Sequence, residues 1–136
     1  MKKHSVVPLV ILFLATIFLA NICQAADKMA TLKNIEGNWV VKSPAMEGGT
    51  ATRYMKFNIV GNNLEVSDWQ KGLNPVKTNY DIDRITQNGE ELVLGHYLQR
   101  VTSPISITIS SFGQIKGEGV IGRKKPTPTI FSFSRE

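Results

Sequence analysis

The chain has one cysteine, Cys23, and only two histidines, His4 and His96, among its 136 residues. Cys23 and His4 lie in an N-terminal segment that we expect to be removed, which leaves no thiol and a single imidazole. This scarcity excludes disulfide bonds, thiol chemistry and cysteine-ligated metal in the mature protein. A lone histidine without a pattern of nearby carboxylates also supplies too few metal ligands, so we expect neither a metal nor a cofactor.

The N-terminal segment has the composition of a signal peptide. Residues 2–4 are basic (Lys-Lys-His), residues 6–20 are almost unbroken apolar, and residues 23–25 (Cys-Gln-Ala) have small side chains where a signal peptidase cuts. We therefore predict a signal peptide over 1–25, one domain over 26–136, and a periplasmic or secreted protein.

Two alternatives for this segment stay open. An uncleaved membrane anchor normally needs about 20 apolar residues, whereas this run has roughly 15. A lipoprotein needs a small residue just before the cysteine, and Ile22 occupies that position. Both alternatives are less favoured than cleavage, so we expect contact with a membrane surface at most and not an integral protein.

The charge of the mature chain is only weakly basic. The full sequence has 16 Lys and Arg against 11 Asp and Glu, and loss of Lys2 and Lys3 leaves 14 against 11, a net charge of +3. This excess is too small to indicate nucleic acid as a partner. It is compatible with an anionic ligand or an anionic surface.

The mature region is predicted to form about eight short strands. Segments 52–60 and 63–69 alternate strictly between apolar and polar residues, which is typical of half-buried strands. Gly61-Asn62 and Asn88-Gly89 are strong hairpin signals. Long and short connections alternate, as in an up-and-down barrel with an open mouth and a tight base. The predicted strands are 36–42, 52–60, 63–69, 76–84, 91–99, 104–110, 115–121 and 129–135.

The predicted fold class is therefore all-β, a single antiparallel up-and-down barrel of about eight strands. Closure of such a sheet removes the exposed edges that invite aggregation. A β-sandwich is the alternative, because hydrophobic periodicity does not determine the order of the strands.

Gly37-Asn38-Trp39 opens the first predicted strand, and Arg135 ends the last one. With this strand count the chain resembles the lipocalin-like (calycin) barrels, in which a Gly-x-Trp begins the first strand. In that group an arginine near the end of the last strand packs across the tryptophan. The resemblance implies that Gly37, Trp39 and Arg135 close the barrel through a cation–π contact. It also implies small hydrophobic ligands as a class.

Six residues at the predicted mouth or on the predicted inward face are our candidate ligand contacts. Met46 gives the longest mouth loop an adaptable apolar tip. Arg100 and Arg123 belong to a cationic rim suited to an anionic head group, and Asp68 and Glu47 are expected among the rim charges. The alternative is that the mouth connections are ordinary surface loops with solvated charges, and that Trp69 only caps the core. The six candidates are Met46, Phe57, Trp69, His96, Arg100 and Arg123.

His96 shares a strand face with Leu92, Leu94 and Leu98. A single histidine among aliphatic residues is commonly a neutral, hydrogen-bonded core residue. The functional alternative is a polar anchor inside a cavity that bonds the head group of a ligand.

We expect an exported barrel that binds a small hydrophobic or amphipathic ligand, with an anionic head group as one option, in its interior. The alternative is a closed-barrel scaffold that binds or inhibits a protein of the cell envelope, since bulky inward side chains can nearly fill eight short strands. The sequence has no nucleophile elbow, no phosphate-binding glycine loop and no histidine-based triad, so we expect no enzymatic activity.

Overall fold

The computed structural model describes residues 27–122 and 124–136. The predicted signal peptide over 1–25, with its cleavage after Ala25, lies outside the described residues, and so does Arg123. In the part of the chain that is described, no helix combines the length and the apolar character needed to cross a membrane.

A short helix, α1, over 27–33 precedes nine strands in the described residues. One 3₁₀ turn at Ile82–Arg84 separates the fourth strand from the fifth. The strands are β1 (Gly37–Pro44), β2 (Thr50–Val60), β3 (Asn63–Trp69), β4 (Val76–Asp81), β5 (Thr86–Asn88), β6 (Glu91–His96), β7 (Ile105–Ile109), β8 (Ile115–Ile121) and β9 (Thr127–Arg135).

All nine strands belong to one curled antiparallel sheet in the order β4-β3-β2-β1-β9-β8-β7-β6-β5. The first and last strands pair, with Trp39 opposite Arg135 and Val41 opposite Phe133. The two edges of the sheet, β4 and β5, are neighbours in sequence, so the sheet must curl to bring them near each other. The all-β antiparallel class is confirmed, and a single curled sheet replaces the two-sheet sandwich that was the alternative.

Two features of the sheet differ from the prediction. The strand predicted over 76–84 ends at Asp81, whose carboxylate accepts from the Asp83 N–H at 3.1 Å and starts the 3₁₀ turn. Segment 86–88, predicted as a connection, forms β5 and pairs with β6. Among the described residues β4 and β5 share no ladder, so the sheet is open between them and forms a half-barrel instead of a fully closed barrel.

Buried side chains come from alternate positions of the strands, as the period of two requires. β2 contributes Met55 and Phe57, β3 contributes Leu64 and Val66, and the three isoleucines of β7 are all buried. Leu32 and Ile35, in and just after α1, join the same cluster and cover the end of the sheet where β1 begins. We call this end the base.

Arg135 connects the last strand to the first strand and to the segment after α1 at the base. Its guanidinium carbon lies 4.6 Å from the centroid of the Trp39 ring, which is the contact that the resemblance implies. The guanidinium also donates to the carbonyl oxygens of Glu36, at 2.7 Å, and Asn34. The Trp39 Nε1–H donates to the Ile35 carbonyl at 2.8 Å. The last strand, the first strand and the segment after α1 are thereby joined at one point.

Gly37 explains why a glycine stands two residues before the tryptophan. Its φ of +119° is a conformation that residues with a Cβ rarely adopt. A Cβ at this position would also lie 3.3 Å from Arg135 Nη1. Glycine therefore permits both the backbone turn into β1 and the close approach of the guanidinium.

We expect Arg135→Ala to lower the free energy of unfolding by about 1–2 kcal/mol, because it removes a cation–π contact and two charge-assisted hydrogen bonds at an exposed site. Urea unfolding followed by tryptophan fluorescence measures the change. Arg84→Ala is the control, since Arg84 is exposed and has one long ion pair with Asp81 at 3.8 Å. A loss for Arg135→Ala no larger than for Arg84→Ala would contradict the role of Arg135.

Candidate functional site

Four connections meet at the end of the sheet opposite the base, over 45–49, 70–75, 97–104 and the described part of 122–126. We call this end the mouth. The difference in loop length between mouth and base is smaller than predicted, because 45–49 is no longer than the base turn over 110–114. The β1–β2 hairpin is paired as far as Pro44 and Thr50, which shortens its loop.

An open cleft of about 330 Å³ lies between three of the mouth connections. We call it the mouth cleft. A second hollow, of about 400 Å³, adjoins it, shares Met46 and Ile121 with it, and extends to Lys125 and Thr127. Residues that line the mouth cleft include Met46, Arg100, Val101, Ile121, Gly122 and Lys124.

The mouth cleft joins an apolar floor to a cationic rim. Its apolar lining residues Met46, Val101 and Ile121 are what we call the floor, and Met46 is 74% exposed. Arg100 and Lys124, which are exposed and line the same cleft, are what we call the rim. Apolar walls with a few charged groups at one side are typical of sites that orient an amphipathic ligand.

Two residues that line the mouth cleft have unusual backbone conformations. Arg100 has a φ of +66°, in the left-handed region that costs a residue with a side chain roughly 1–2 kcal/mol. Gly122 has a φ of +117°, and a Cβ there would lie 2.4 Å from the Lys125 carbonyl oxygen, so only glycine fits this turn. Non-glycine residues in such conformations cluster at functional sites.

A buried polar network lies inside the mouth end of the sheet. Asp68 and His96 are both 0% exposed, and the distance from His96 Nε2 to Asp68 Oδ2 is 2.8 Å. The second carboxylate oxygen, Oδ1, accepts from the Gln99 N–H at 2.8 Å. Arg53, also buried, donates from Nη1 to the Gln99 carbonyl at 2.8 Å. We call Arg53, Asp68, Tyr80, His96 and Gln99 the polar network.

Tyr80 connects the network across the open side of the sheet. Its hydroxyl oxygen lies 2.5 Å from His96 Nδ1 and 3.1 Å from the Gly95 carbonyl oxygen. Because Tyr80 is on β4 and the other two residues are on β6, these contacts join strands that share no ladder. Side-chain hydrogen bonds thus replace main-chain pairing at this point of the half-barrel.

Burial changes the ionisation of two members of the network. It raises the pKa of Tyr80 to about 12, and the negative charge of Asp68 acts in the same direction. Burial lowers the pKa of Arg53 from its ordinary value, and the attraction of Asp68 opposes that shift. With the Gln70 amide oriented so that its oxygen faces the guanidinium, that oxygen accepts from Arg53 Nη2 at 2.9 Å.

The six candidate ligand residues fall in different places. The structure brings Met46 and Arg100 together at the mouth cleft. Phe57 is packed in the core at 1% exposure, and His96 belongs to the polar network. Trp69 lies on the outer face, where its ring stacks on Tyr54 with centroids 5.8 Å apart. Arg123 lies outside the described residues.

The expectation that Asp68 is a rim charge is wrong, because its side chain points inward and is fully buried. The sequence held the signal for this. Leu64 and Val66 are the apolar residues of the alternation predicted over 63–69, and the same period of two continues to Asp68. In β2 the inward set of Met55 and Phe57 likewise extends back to Arg53. Both residues were missed because charged side chains are rarely buried unless they are paired.

Comparisons of the chain with known protein families, with curated proteins and with solved structures find no match. The mouth cleft and the polar network are therefore the structural basis for a functional proposal.

Replacement of Tyr80 with phenylalanine should change the alkaline stability of the protein. The pKa of Tyr80 is higher in the folded chain, about 12, than the ordinary value of 10.0. The stabilisation from its neutral, hydrogen-bonded hydroxyl is therefore complete below pH 10 and is lost as the pH rises towards 12. Because the group is half exposed, we expect a loss on the order of 1 kcal/mol after allowing for solvent screening.

Urea unfolding by circular dichroism at pH 9 and pH 11.5 measures this loss. Tyr80→Phe should show a smaller fall between the two pH values than the unchanged protein does. Tyr97→Phe is the matched control, since Tyr97 is 64% exposed, and it should leave the fall unaltered. Identical falls in all three proteins would contradict the assignment.

Proposed function

We propose that the protein binds an amphipathic ligand with an anionic head group at the mouth cleft. The observation that carries the proposal is the meeting of an apolar floor, made by Met46, Val101 and Ile121, with two cationic side chains, Arg100 and Lys124. The floor takes the apolar tail and the rim takes the head group. A volume of about 330 Å³ is sufficient for a small ligand, since ligand pockets start at about 300 Å³.

We place the ligand at the mouth instead of deep in the interior. The inward side chains Phe57, Ile107 and Phe131 are at most 1% exposed, and they pack into one cluster with the other core residues. The side chains of Arg53, Asp68 and His96 in the polar network are also buried and hydrogen-bonded to other protein groups. A ligand tail would have to displace both, whereas the mouth cleft is already open.

We also propose that the chain is a lipocalin-like barrel protein, exported to the periplasm or secreted. The curled antiparallel sheet and the packing of Arg135 on Trp39 next to Gly37 support this relationship. A binding role suits the chain better than catalysis, because Asp68 and His96 are fully buried and hydrogen-bonded to other protein groups. Neither side chain lines the mouth cleft.

Isothermal titration calorimetry of the purified protein with decanoate tests the ligand class. We expect saturable binding that weakens as salt is added, because the rim charges are screened at high ionic strength. Decyltrimethylammonium has an alkyl tail only one carbon longer and a cationic head group, and it should bind at least about tenfold more weakly. Equal affinity for the two compounds, or no binding of decanoate, would overturn the proposal.

Neutralising the rim should weaken decanoate binding selectively. We expect Arg100→Gln and Lys124→Gln each to raise the Kd for decanoate by about 3–10-fold, through loss of a charge-assisted contact. Lys116→Gln is the matched control, because Lys116 is exposed in β8 and is not among the lining residues. An equal effect of all three substitutions would indicate general electrostatic attraction without a defined site.

A scaffold that binds or inhibits an envelope protein is the second candidate function. The packed interior favours it, and so do the exposed apolar residues Met46 and Val120 at the mouth. The two functions are separable by experiment. If the protein is a scaffold, Met46→Asp should abolish its capture of an envelope protein. Under the same hypothesis, the unchanged protein should show no saturable binding of decanoate.

A further inference from the structure

The backbone turn that contains Arg100 is hydrogen-bonded to buried side chains. In this turn, over 98–101, the Val101 N–H donates to the Leu98 carbonyl at 3.0 Å. We call it the mouth turn. Its second residue, Gln99, makes no strand ladder. Instead its N–H donates to Asp68 and its carbonyl accepts from Arg53, both at 2.8 Å.

These two contacts are strong ones. Each joins a main-chain group to a charged side chain, and such hydrogen bonds are roughly twice as strong as neutral ones. Both side chains come from the sheet, since Arg53 is on β2 and Asp68 is on β3. The Gln99 side chain makes a third hydrogen bond, in which Nε2 donates to the Asn74 carbonyl at 2.9 Å. This bond links the turn to the 70–75 connection.

The residue after this anchored position is Arg100, with its left-handed backbone. A non-glycine residue stays in that region only where its surroundings impose the conformation. Here the imposing groups are Asp68 and Arg53, because they fix both main-chain hydrogen-bonding groups of the residue before Arg100. Arg100 and Val101 then line the mouth cleft, one at its rim and one in its floor.

We propose that Asp68 and Arg53 are positioning residues that set the head-group selectivity of the mouth cleft. They hold the mouth turn in the conformation that places the Arg100 guanidinium at the rim. This inference rests on the proposed function, since selectivity has meaning only if the cleft takes anionic amphiphiles. Neither residue touches the ligand.

Two variants of Asp68 separate positioning from simple stabilisation. Asp68→Asn retains an oxygen that accepts from the Gln99 N–H, and its amide nitrogen can donate to His96 Nε2. The double variant Asp68→Leu with His96→Leu removes the acceptor. It exchanges the buried hydrogen-bonded pair for apolar side chains of similar size, which is often tolerated without loss of stability.

The first measurement is amide hydrogen exchange of Gln99 and Val101 by NMR in the ligand-free protein. In the double variant these two amides should exchange at least about tenfold faster, because the mouth turn loses its anchor. The second is the ratio of affinities for decanoate and for the neutral alcohol 1-decanol. This ratio should fall by about 3–10-fold, with the affinity for 1-decanol unchanged.

Asp68→Asn should keep both quantities within about twofold of the unchanged protein. The inference is overturned if the folded double variant retains its exchange rates and its affinity ratio, or if Asp68→Asn loses as much as the double variant does. Should the double variant not fold, Arg53→Met tests the same claim, since it removes the donor to the Gln99 carbonyl and should lower the ratio.

Failure of the proposed function gives a different result. In that case the unchanged protein shows no preference for decanoate over 1-decanol. The exchange rates of the Gln99 and Val101 amides still report whether Asp68 and Arg53 hold the mouth turn.

Discussion

Asp68→Ala is expected to lower the free energy of unfolding by about 3–5 kcal/mol. The substitution leaves the buried His96 imidazole without its hydrogen-bond partner, and the Arg53 guanidinium without the negative charge that attracts it. It also leaves the Gln99 N–H without its acceptor. Urea unfolding at neutral pH, followed by circular dichroism, measures the loss.

Glu118→Ala is the control for this substitution, because Glu118 is an exposed acidic residue in β8, and we expect a change within about 0.5 kcal/mol. Asp68→Leu combined with His96→Leu should cost less than Asp68→Ala alone, since no imidazole is then left unpaired. If the double variant is less stable than Asp68→Ala, the contributions of Asp68 and His96 to the free energy of unfolding are not coupled as a pair.

Phe131→Ala is expected to lower the free energy of unfolding by about 3–5 kcal/mol. Phe131 is 1% exposed and packs in the core at the pairing of β9 with β8, directly opposite Gly117. Because Gly117 has no side chain, β8 offers little at that position to fill the cavity that alanine would leave. Thermal or urea unfolding gives the magnitude.

Phe112→Ala deletes the same side chain in the base turn, where Phe112 is 88% exposed. We expect this control to change the stability by less than about 0.5 kcal/mol. Similar losses for the two phenylalanine substitutions would mean that the side chain of Phe131 is not part of a packed interior.

Much of the fold follows from local sequence patterns. The apolar alternation in β2 and β3 and the turns at Gly61 and Gly89 define hairpins without reference to the rest of the chain. The pairing of β1 with β9 was predicted from Gly37, Trp39 and Arg135 through the family resemblance. These features are short-range, or they depend on a few residues with strict geometric needs.

The open side of the sheet could not be predicted in the same way. The apolar pattern continues through Ile82, which favours one long strand from Val76 onwards. The Asp81 carboxylate instead accepts from the Asp83 N–H, so the chain leaves the sheet one residue before Ile82. A local side-chain contact of this kind competes with strand pairing, and sequence periodicity does not include it.

The candidate site was predicted in part. Met46 and Arg100 could be placed at the mouth from the sequence because loop residues can be located by counting strands. Asp68 and Trp69 show the limit of that approach. They are adjacent, so they point to opposite faces of β3. Hydrophobicity alone favours Trp69 for the interior, whereas Asp68 is the buried residue. Only the partners of Asp68 on other strands, such as His96, make its burial favourable.

Binding at the mouth cleft is tested most directly by an NMR titration of ¹⁵N-labelled protein with decanoate at concentrations below micelle formation. We predict saturable shift changes centred on the amides of Met46, Val101, Ile121 and Gly122, with the amides around Trp39 at the base unchanged. Saturable changes centred on interior residues such as Phe57, or shifts spread evenly over the surface, would contradict binding at the mouth cleft.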